Sequence, residues 1–351
     1  MGWIRGSMRR WPISWFFWIS LAINVAVIAV FLVSGAAGVL EAAMEATGLT
    51  DKTDFVSAFR LALEAPRAVP GISLSILQPL SPDIAAFVVA AVAFGLVGVG
   101  RLVRGYRFWG AEVGWRRGLG VWCLMLVVFF VAMPLVTAGL GATFMPEGTW
   151  EWGGHAVSWG LLPALFVALF LDVGGVTEET GWRGFALPVL QSRMTPLAAT
   201  LIVGLLWGVW HFPARPDILM GAYGLLGGAA LLGILVVRFV FLSIVMTYFY
   251  NRAGGSTLIA IAMHGLHNNP VLFSGRIVGD TTASYVISEL ALLAPILVVA
   301  VGLLVLTGSK LGLDGPRKAD SVTEVTPSPD LTSSSSEDES RRRGARRARR
   351  S

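Results

Sequence analysis

Two adjacent glutamates and an arginine stand at the end of a long apolar segment, where ionised side chains are uncommon. Glu178 and Glu179 are followed by Arg183. An ionised side chain inside a bilayer costs roughly 2.5–3.5 kcal/mol on insertion scales, so membrane segments keep such residues mainly for function. In a helix, Glu179 and Arg183 lie one turn apart and can pair, whereas Glu178 points about 100° away and is free to act as a base.

Two further polar groups follow within apolar segments. His211 comes four residues after Trp207, and Asn268 comes four residues after His264, with His267 between them. A buried glutamate can take a proton from a water molecule. A neutral imidazole can bind a metal or the water, and an asparagine amide can stabilise an oxyanion. Together these residue types are the parts needed to activate water and hydrolyse a peptide bond.

The composition indicates a polytopic membrane protein. Hydrophobic residues make up 55% of the 351 residues and charged residues 14%, whereas soluble domains carry about 25% charged residues. The single cysteine, Cys123, excludes an intrachain disulfide framework and a cysteine-rich zinc site. Much of the net charge of +5 comes from the arginines of 341–350. The charge therefore does not indicate nucleic acid as a partner.

Apolar segments recur along the chain, and about 20 apolar residues suffice to cross a bilayer as a helix. They predict an all-α polytopic bundle of about eight helices with the polar residues within the membrane. The fifth and seventh segments are short and polar-interrupted, which is typical of helices that line a buried site. The sixth contains Arg238, which favours a tilted, broken or kinked helix. The predicted spans are 13–34, 81–100, 118–140, 156–176, 196–212, 221–249, 256–272 and 285–308.

The distribution of arginine predicts the orientation of the chain in the membrane. The N-terminus and the loop 101–117 are rich in arginine, whereas the loop 141–155 contains no Lys or Arg. The positive-inside rule then places both termini in the cytoplasm, in a multi-pass protein of the plasma membrane. We interpret 13–34 as a membrane helix and not as a signal peptide, because its apolar run exceeds the roughly 7–15 residues of a signal peptide.

Three regions follow from these patterns. Residues 1–80 combine the first membrane helix with an external stretch, in which 38–47 and 54–65 have the amphipathic spacing of short helices on the membrane surface. This stretch is interpreted either as a cap that gates substrate access or as a plain solvated loop. Residues 81–312 form the bundle. Residues 313–351 are predicted to be a disordered cytoplasmic tail, whose arginine run contacts anionic lipid.

The three motifs resemble the CPBP family of intramembrane metalloproteases, which includes type II CAAX prenyl endopeptidases and Abi proteins of the bacteriocin-immunity type. The pattern is Glu-Glu-x-x-x-Arg, then aromatic-x-x-x-His, then His-x-x-x-Asn, each in a membrane segment, and it covers about 156–272. Tryptophan stands at the aromatic position, where phenylalanine is commoner. The resemblance implies an active site within the membrane, open to the cytoplasmic leaflet. The matching residues are Glu178, Glu179, Arg183, Trp207, His211, His264 and Asn268.

The resemblance also implies roles. Glu178 is expected to be the base that activates water, assisted by His211. The second glutamate and its arginine are expected to be a structural and water-orienting pair, and the third motif to contact the water or a metal and stabilise the oxyanion. The predicted catalytic residues are therefore Glu178, Glu179, Arg183, His211, His264 and Asn268.

A divalent metal, with zinc as one candidate, is the expected cofactor, although a Glu/His scheme without metal is also open. Its tentative ligands are His211, His264 and Glu178. His267 has no counterpart in the family pattern and is expected to pack or to support the site from outside. Asp172 is either a supporting group or a helix-end charge.

The substrate and the functional class have alternatives. The expected substrate is a membrane-anchored peptide or protein, which includes a prenylated-type C-terminus and a bacteriocin-like precursor. A non-catalytic immunity or scaffold protein would tolerate the loss of Glu178. A transporter that relays protons through buried Glu and His more often shows two similar halves, and we see none in this sequence.

Overall fold

The computed structural model describes residues 2–49, 54–145, 150–153, 159–270, 274–277 and 282–313. Helices dominate this part of the chain, and the predicted all-α bundle is confirmed. The exception is an antiparallel ladder of two short strands, β1 (Trp150–Gly153) and β2 (Ser274–Ile277), in which Trp150 pairs with Ile277. The predicted disordered tail lies outside the described residues from position 314 onward.

Long apolar helices form the frame of the bundle. Among the described residues, six helical stretches are long and apolar enough to cross a membrane. One of them, Trp115–Phe144, contains a π-helical stretch at Val127–Ala132. The helices of these six stretches are α2 (Pro12–Val33), α6 (Ser81–Arg104), α7 (Trp115–Leu126), α8 (Met133–Phe144), α12 (Pro196–Trp210), α14 (Gly224–Arg252) and α16 (Thr282–Thr307).

The fourth and seventh predicted spans contain helices that are too short to cross a membrane. The predicted span 156–176 contains α9 (Leu161–Phe170), a break, and the start of α10 (Val173–Glu179), while 256–272 contains α15 (Thr257–Asn268). The break has a local cause, because the Asp172 carboxylate accepts a hydrogen bond of 2.5 Å from the backbone N–H of Gly175 and caps α10. Helices of ten and twelve residues reach about 15–18 Å and cannot cross a hydrocarbon core of about 30 Å.

Of the tilted, broken or kinked helix predicted for the sixth span, the broken form is wrong. The helix α14 runs without interruption through Arg238. The guanidinium of Arg238 pairs at 3.2 Å with the carboxylate of Glu289 on α16. Because the charge is compensated by a neighbouring helix, α14 does not need to open around it.

Shorter helical segments complete the chain order. The helix α10 continues through a π-helical stretch, Thr180–Ala186, into α11 (Leu187–Gln191). A 3-10 turn (Phe212–Ala214) and α13 (Pro216–Leu219) follow α12, and α1 (Gly2–Arg10) precedes α2.

Between the first two long helices lies a small helical unit, which we call the cap and define as residues 36–49 and 54–77. It contains α3 (Ala36–Thr47), α4 (Phe55–Glu64) and α5 (Val69–Leu77), so the two short helices predicted at 38–47 and 54–65 are confirmed. Asp54 begins α4 by accepting hydrogen bonds from two backbone N–H groups. The cap has its own apolar core, formed by Leu40, Ala58, Leu61, Ala68 and Ile72.

The bundle has two distinguishable ends. At one end the loop after α6 is tied to the turn before α15, since the Thr257 N–H donates to the Gly105 carbonyl at 2.9 Å. The side chains of Gln191 and Asn251 meet there at 3.2 Å. At the other end the cap reaches the break before α10, because the Phe55 N–H donates to the Leu171 carbonyl at 2.9 Å. We call these the basic end and the cap end.

Candidate functional site

Glu178 lies on α10 and faces Trp207 of α12. Its carboxylate Oε2 accepts a hydrogen bond of 2.8 Å from the indole Nε1 of Trp207. The residue is 4% exposed. One oxygen of the predicted base is thus held by a neutral donor, which orients the group without neutralising its charge.

Glu179 is the centre of a buried ionic network. Its Oε1 accepts from Arg183 Nη1 at 2.9 Å and from His264 Nδ1 at 2.7 Å. The side chains of Glu179 and Arg183 are fully buried. A carboxylate only accepts, so the His264 proton is on Nδ1 and, in the neutral ring, Nε2 carries the lone pair. The predicted pairing of Glu179 with Arg183 is present in the structure.

Trp207 contacts both Glu178 and Arg183, the partner of Glu179. The guanidinium carbon of Arg183 lies 4.1 Å from the centre of a Trp207 ring, in cation–π geometry. The second guanidinium nitrogen, Nη2, donates to Ser243 Oγ of α14 at 3.1 Å. An unpaired charge buried this deeply would be strongly destabilising, and these contacts compensate the arginine. Trp207 therefore supports both the ionic network and the Glu178 carboxylate.

Asn268 is held by Asp172, a residue whose role the sequence left open. The amide Nδ2 of Asn268 lies 3.2 Å from Asp172 Oδ1, and that of Asn269 lies 2.7 Å from Oδ2. Asp172 is fully buried and also caps α10. It thus connects the helix of the glutamates to the end of α15. An acid within an apolar segment is the same signal that singled out Glu178.

A gap over Gly174 brings the third motif close to α10. A β-carbon at Gly174 would lie 2.9 Å from His264 Nε2 and 2.9 Å from Asn268 Nδ2. Such distances are too short for a side chain, so glycine lets the two polar atoms approach the helix. Glu178 is one turn further along the same face of α10. Two nitrogen atoms and a carboxylate therefore border the same side of this helix.

His211 lies beside the network and among aromatic rings. Its Nδ1 is 2.8 Å from the Trp207 carbonyl, so this nitrogen carries the proton. The ring stacks on Phe239 with centroids 4.1 Å apart, and it meets Trp207 edge-on. His211 thus shares Trp207 with Glu178. Its assistance to the base stays a prediction.

His267 faces a different part of the bundle. With Phe129, Met133, Leu266 and Pro295 it lines a separate cavity between α8, α15 and α16. This placement agrees with the expectation that His267 packs outside the catalytic set.

The tentative metal ligands do not form a ligand set. Within the described ranges, no three side chains of His, Cys, Asp or Glu are grouped so that they could hold a metal ion. The Nδ1 atoms of His211 and His264 are already bonded to a carbonyl and a carboxylate. The predicted divalent metal stays a prediction, and the chemistry derived below uses the side chains alone.

Asp83 of α6 is a second acid that the sequence analysis did not select. Its Oδ1 accepts from the Gly181 N–H at 2.7 Å, within the π-helical stretch that follows Glu179. The backbone of Pro82 would lie 2.7 Å from a β-carbon at Gly181, so α6 packs directly on this turn. Asp83 therefore fixes the turn between Glu179 and Arg183. Only its place in an apolar span could have identified it.

Comparison with known proteins relates the segment that contains this site to a known family. Residues 159–269 match the family model described as "Type II CAAX prenyl endopeptidase Rce1-like". This segment is a CPBP-family domain. It contains all the motif residues quoted above, and the resemblance identified from the sequence is confirmed.

A curated relative matches a shorter part of the chain. "CAAX prenyl protease 2" of Methanococcus maripaludis is 41% identical over 61 residues, which are 17% of this chain and 21% of the relative. The match thus spans about a fifth of the relative's length. It supports the assignment of the matched segment to the family.

Proposed function

We propose that this protein is an intramembrane endopeptidase that hydrolyses a peptide bond of a membrane-associated substrate, with Glu178 as the base. The observation that carries the proposal is the division between two adjacent carboxylates. Glu179 is paired with the charge of Arg183 and accepts a further hydrogen bond from His264, whereas Glu178 is held by one neutral indole donor. One carboxylate serves the structure, and the other keeps its capacity to accept a proton.

The first step needs a water molecule between Glu178 and the carbonyl carbon of the substrate. Glu178 takes one proton from this water, and the oxygen attacks the carbonyl carbon to form a tetrahedral intermediate. The carbonyl oxygen becomes an oxyanion. One hydrogen of Asn268 Nδ2 is directed to Asp172, and the second is available to the oxyanion.

In the second step the same glutamate acts as an acid. The proton on Glu178 passes to the nitrogen of the scissile bond, the carbon–nitrogen bond breaks, and the amine and the new carboxylic acid leave. His264 is oriented by Glu179, so that its Nε2 borders the gap over Gly174 and can accept a hydrogen bond from the attacking water. The Glu179–Arg183 pair thus contributes by positioning the imidazole.

The family supports the substrate class. The family description and the relative's name refer to CAAX prenyl proteases, which supports a membrane-attached peptide or protein as substrate. We propose the same class for this chain. A non-catalytic scaffold role does not explain why the two glutamates have different partners. A scaffold does not need a carboxylate without a charged partner beside a buried imidazole.

The test is proteolysis by the purified full chain in lipid nanodiscs. A library of membrane-tethered peptides is presented to the native protein and to Glu178→Gln, whose amide oxygen can still accept from Trp207. Cleavage by the native protein and its loss in Glu178→Gln is the expected result. Glu64→Gln on the exposed face of the cap is the matched control, since Glu64 contacts Arg60 at the surface. Equal cleavage by Glu178→Gln would refute the base, and no cleavage by the native protein would favour a scaffold.

A further inference from the structure

The candidate site lies in the half of the bundle near the cap. His211 follows the last residue of α12, Asn268 ends α15, and Asp172 precedes α10. These three helix ends lie together, and Asp172 and Asn268 are bonded to each other. Glu178 is about 9 Å along the helix from Asp172, and His264 is about 6 Å from Asn268, by the rise of 1.5 Å per residue.

Towards the basic end the site is closed by packed side chains. The residues that follow the glutamates from Thr180 to Gln191 are buried, with only Gly184 partly accessible, and those of α15 from Ile259 to Gly265 are buried. Towards the cap end the opposite holds, because Asn268 is exposed and His211 and Asn269 are half-buried. Water and a peptide can therefore approach the gap over Gly174 from the cap end.

The charges at the two ends differ in sign. At the basic end Glu112 is the one acidic residue in the described part of the chain, and it faces a large excess of basic residues. These are Arg5, Arg9, Arg10, Arg101, Arg104, Arg107, Arg116, Arg117, Arg193, Arg252 and Lys310. The cap end is mixed, with Glu41, Glu45, Asp54, Arg60, Glu64, Arg67, Arg215 and Asp217. Excess Lys and Arg near helix ends marks the cytoplasmic side.

We propose that the site opens to the non-cytoplasmic face of the membrane, and that its substrate is a peptide segment presented at the outer surface of the bilayer. The statement about the substrate rests on the proposed function, whereas the direction of opening rests on burial and charge alone. It is opposite to the cytoplasmic opening that the family resemblance implies. A membrane-anchored peptide that is exported, or the external flank of a membrane helix, has the required placement, and a cytoplasmic C-terminus does not.

The direction of opening can be measured without any hydrolysis. In a Cys123→Ala background, single cysteines are introduced as Asn268→Cys at the site, Glu45→Cys in the cap and Glu112→Cys at the basic end. Each is treated with a membrane-impermeant sulfonated methanethiosulfonate in spheroplasts and in inverted membrane vesicles. We expect the first two to react at least tenfold faster in spheroplasts, and Glu112→Cys at least tenfold faster in inverted vesicles.

Two results would overturn the proposal. In the first, Asn268→Cys reacts with the reagent from the cytoplasmic side only. In the second, Glu45→Cys reacts faster in inverted vesicles and Glu112→Cys reacts faster in spheroplasts. Pro270→Cys, two residues after Asn268 and half-buried, replaces Asn268→Cys if that variant does not fold. If labelling follows the expectation and the nanodisc peptides stay uncut, the endopeptidase proposal fails while the opening stands. If the nanodisc peptides are cut but Asn268→Cys is labelled from the cytoplasmic side, the endopeptidase proposal stands and the proposed direction of opening fails.

Discussion

The cap core and the polar network are both buried, but different forces hold them. In the cap, Leu40, Leu61 and Ile72 pack without directional bonds, and apolar area removed from water contributes about 25 cal/mol per Å². In the network, Glu179 is paired with Arg183 and His264 at 2.9 and 2.7 Å. Its stability depends on each partner being present, since an uncompensated buried charge is costly.

The difference between the two regions predicts which substitutions should change the rate of catalysis. Apolar contacts in the cap can adjust when a side chain is shortened. In the described part of the chain, the cap meets the start of α10 through the backbone pairing of Asp54 with Asp172 and the bond from Phe55 to Leu171. The network cannot adjust in this way, because its bonds are directional and one oxygen of Glu179 accepts from both Arg183 and His264. Substitutions in the network should therefore change activity, and substitutions in the cap should change local stability.

The largest effect is expected for Glu178→Gln. The amide keeps the size of the side chain and can accept from Trp207, so the fold and its thermal transition should stay unchanged. Loss of the base should lower kcat by about 10²–10⁴-fold, the usual contribution of general acid–base catalysis. The measurement is the rate of peptide cleavage in nanodiscs beside the thermal transition. A drop in kcat smaller than fivefold would contradict the role of Glu178.

Arg183→Met should affect both stability and activity. Methionine fills much of the volume and removes the charge, which leaves Glu179 buried with His264 as its partner. Breaking a buried ion pair costs about 3–5 kcal/mol. We expect a clear fall in the thermal transition and a loss of cleavage of at least about tenfold, measured on the same samples.

Arg60→Met is the matched control for this change. Arg60 also pairs with a glutamate four residues away, at 2.7 Å, but on the exposed surface of the cap. Exposed ion pairs contribute about 0–1 kcal/mol, so its removal should leave stability and activity nearly unchanged. Equal effects of the two substitutions would contradict the distinction between the network and the cap.

Much of this site could be predicted from residue spacing. The one-turn spacing of Glu179 and Arg183 predicts their pairing, which the structure contains. The bond between His264 and Glu179 could not be predicted, because it joins residues 85 positions apart and depends on how α10 and α15 pack. The hydrogen bond from Trp207 to Glu178 could not be predicted for the same reason, because it joins two helices and spacing identifies partners only within one helix.

The fold was predicted less completely in its short elements. Apolar runs mark the long spans well, but 156–176 reads as one span although Asp172 ends it and starts another helix. A capping carboxylate within an apolar run is locally indistinguishable from a functional one. Asp172 is bonded both to the start of α10 and to Asn268, so both interpretations describe it.

Asp172→Asn should have a smaller effect than the changes in the network. The carboxylate accepts from Gly175, Asn268 and Asn269, and an amide can offer an oxygen to only one side of the group. One donor loses its partner, which costs about 1–3 kcal/mol. The donor that loses Asp172 as its partner is Asn269, because Gly175 and Asn268 share Oδ1. We expect kcat to fall about five- to a hundredfold with KM nearly constant, because the change disturbs the end of α15 that carries Asn268 without removing the base. Asp172→Glu, which keeps a carboxylate, should recover part of kcat.

A small effect on activity, but a clear effect on local stability, is expected for Leu61→Ala in the cap. Leu61 is 1% exposed, and shortening a buried leucine typically costs about 2–5 kcal/mol. The cap should open more often, which hydrogen exchange of the α3 and α4 amides would report as faster exchange, while the amides of α12 and α14 stay protected. Cleavage should stay within about twofold of the native rate, because the loss falls on contacts that do not reach Glu178. A loss of cleavage as large as that of Asp172→Asn would mean that the bond between Phe55 and Leu171 transmits the state of the cap to the site, and the cap would then be part of the catalytic unit.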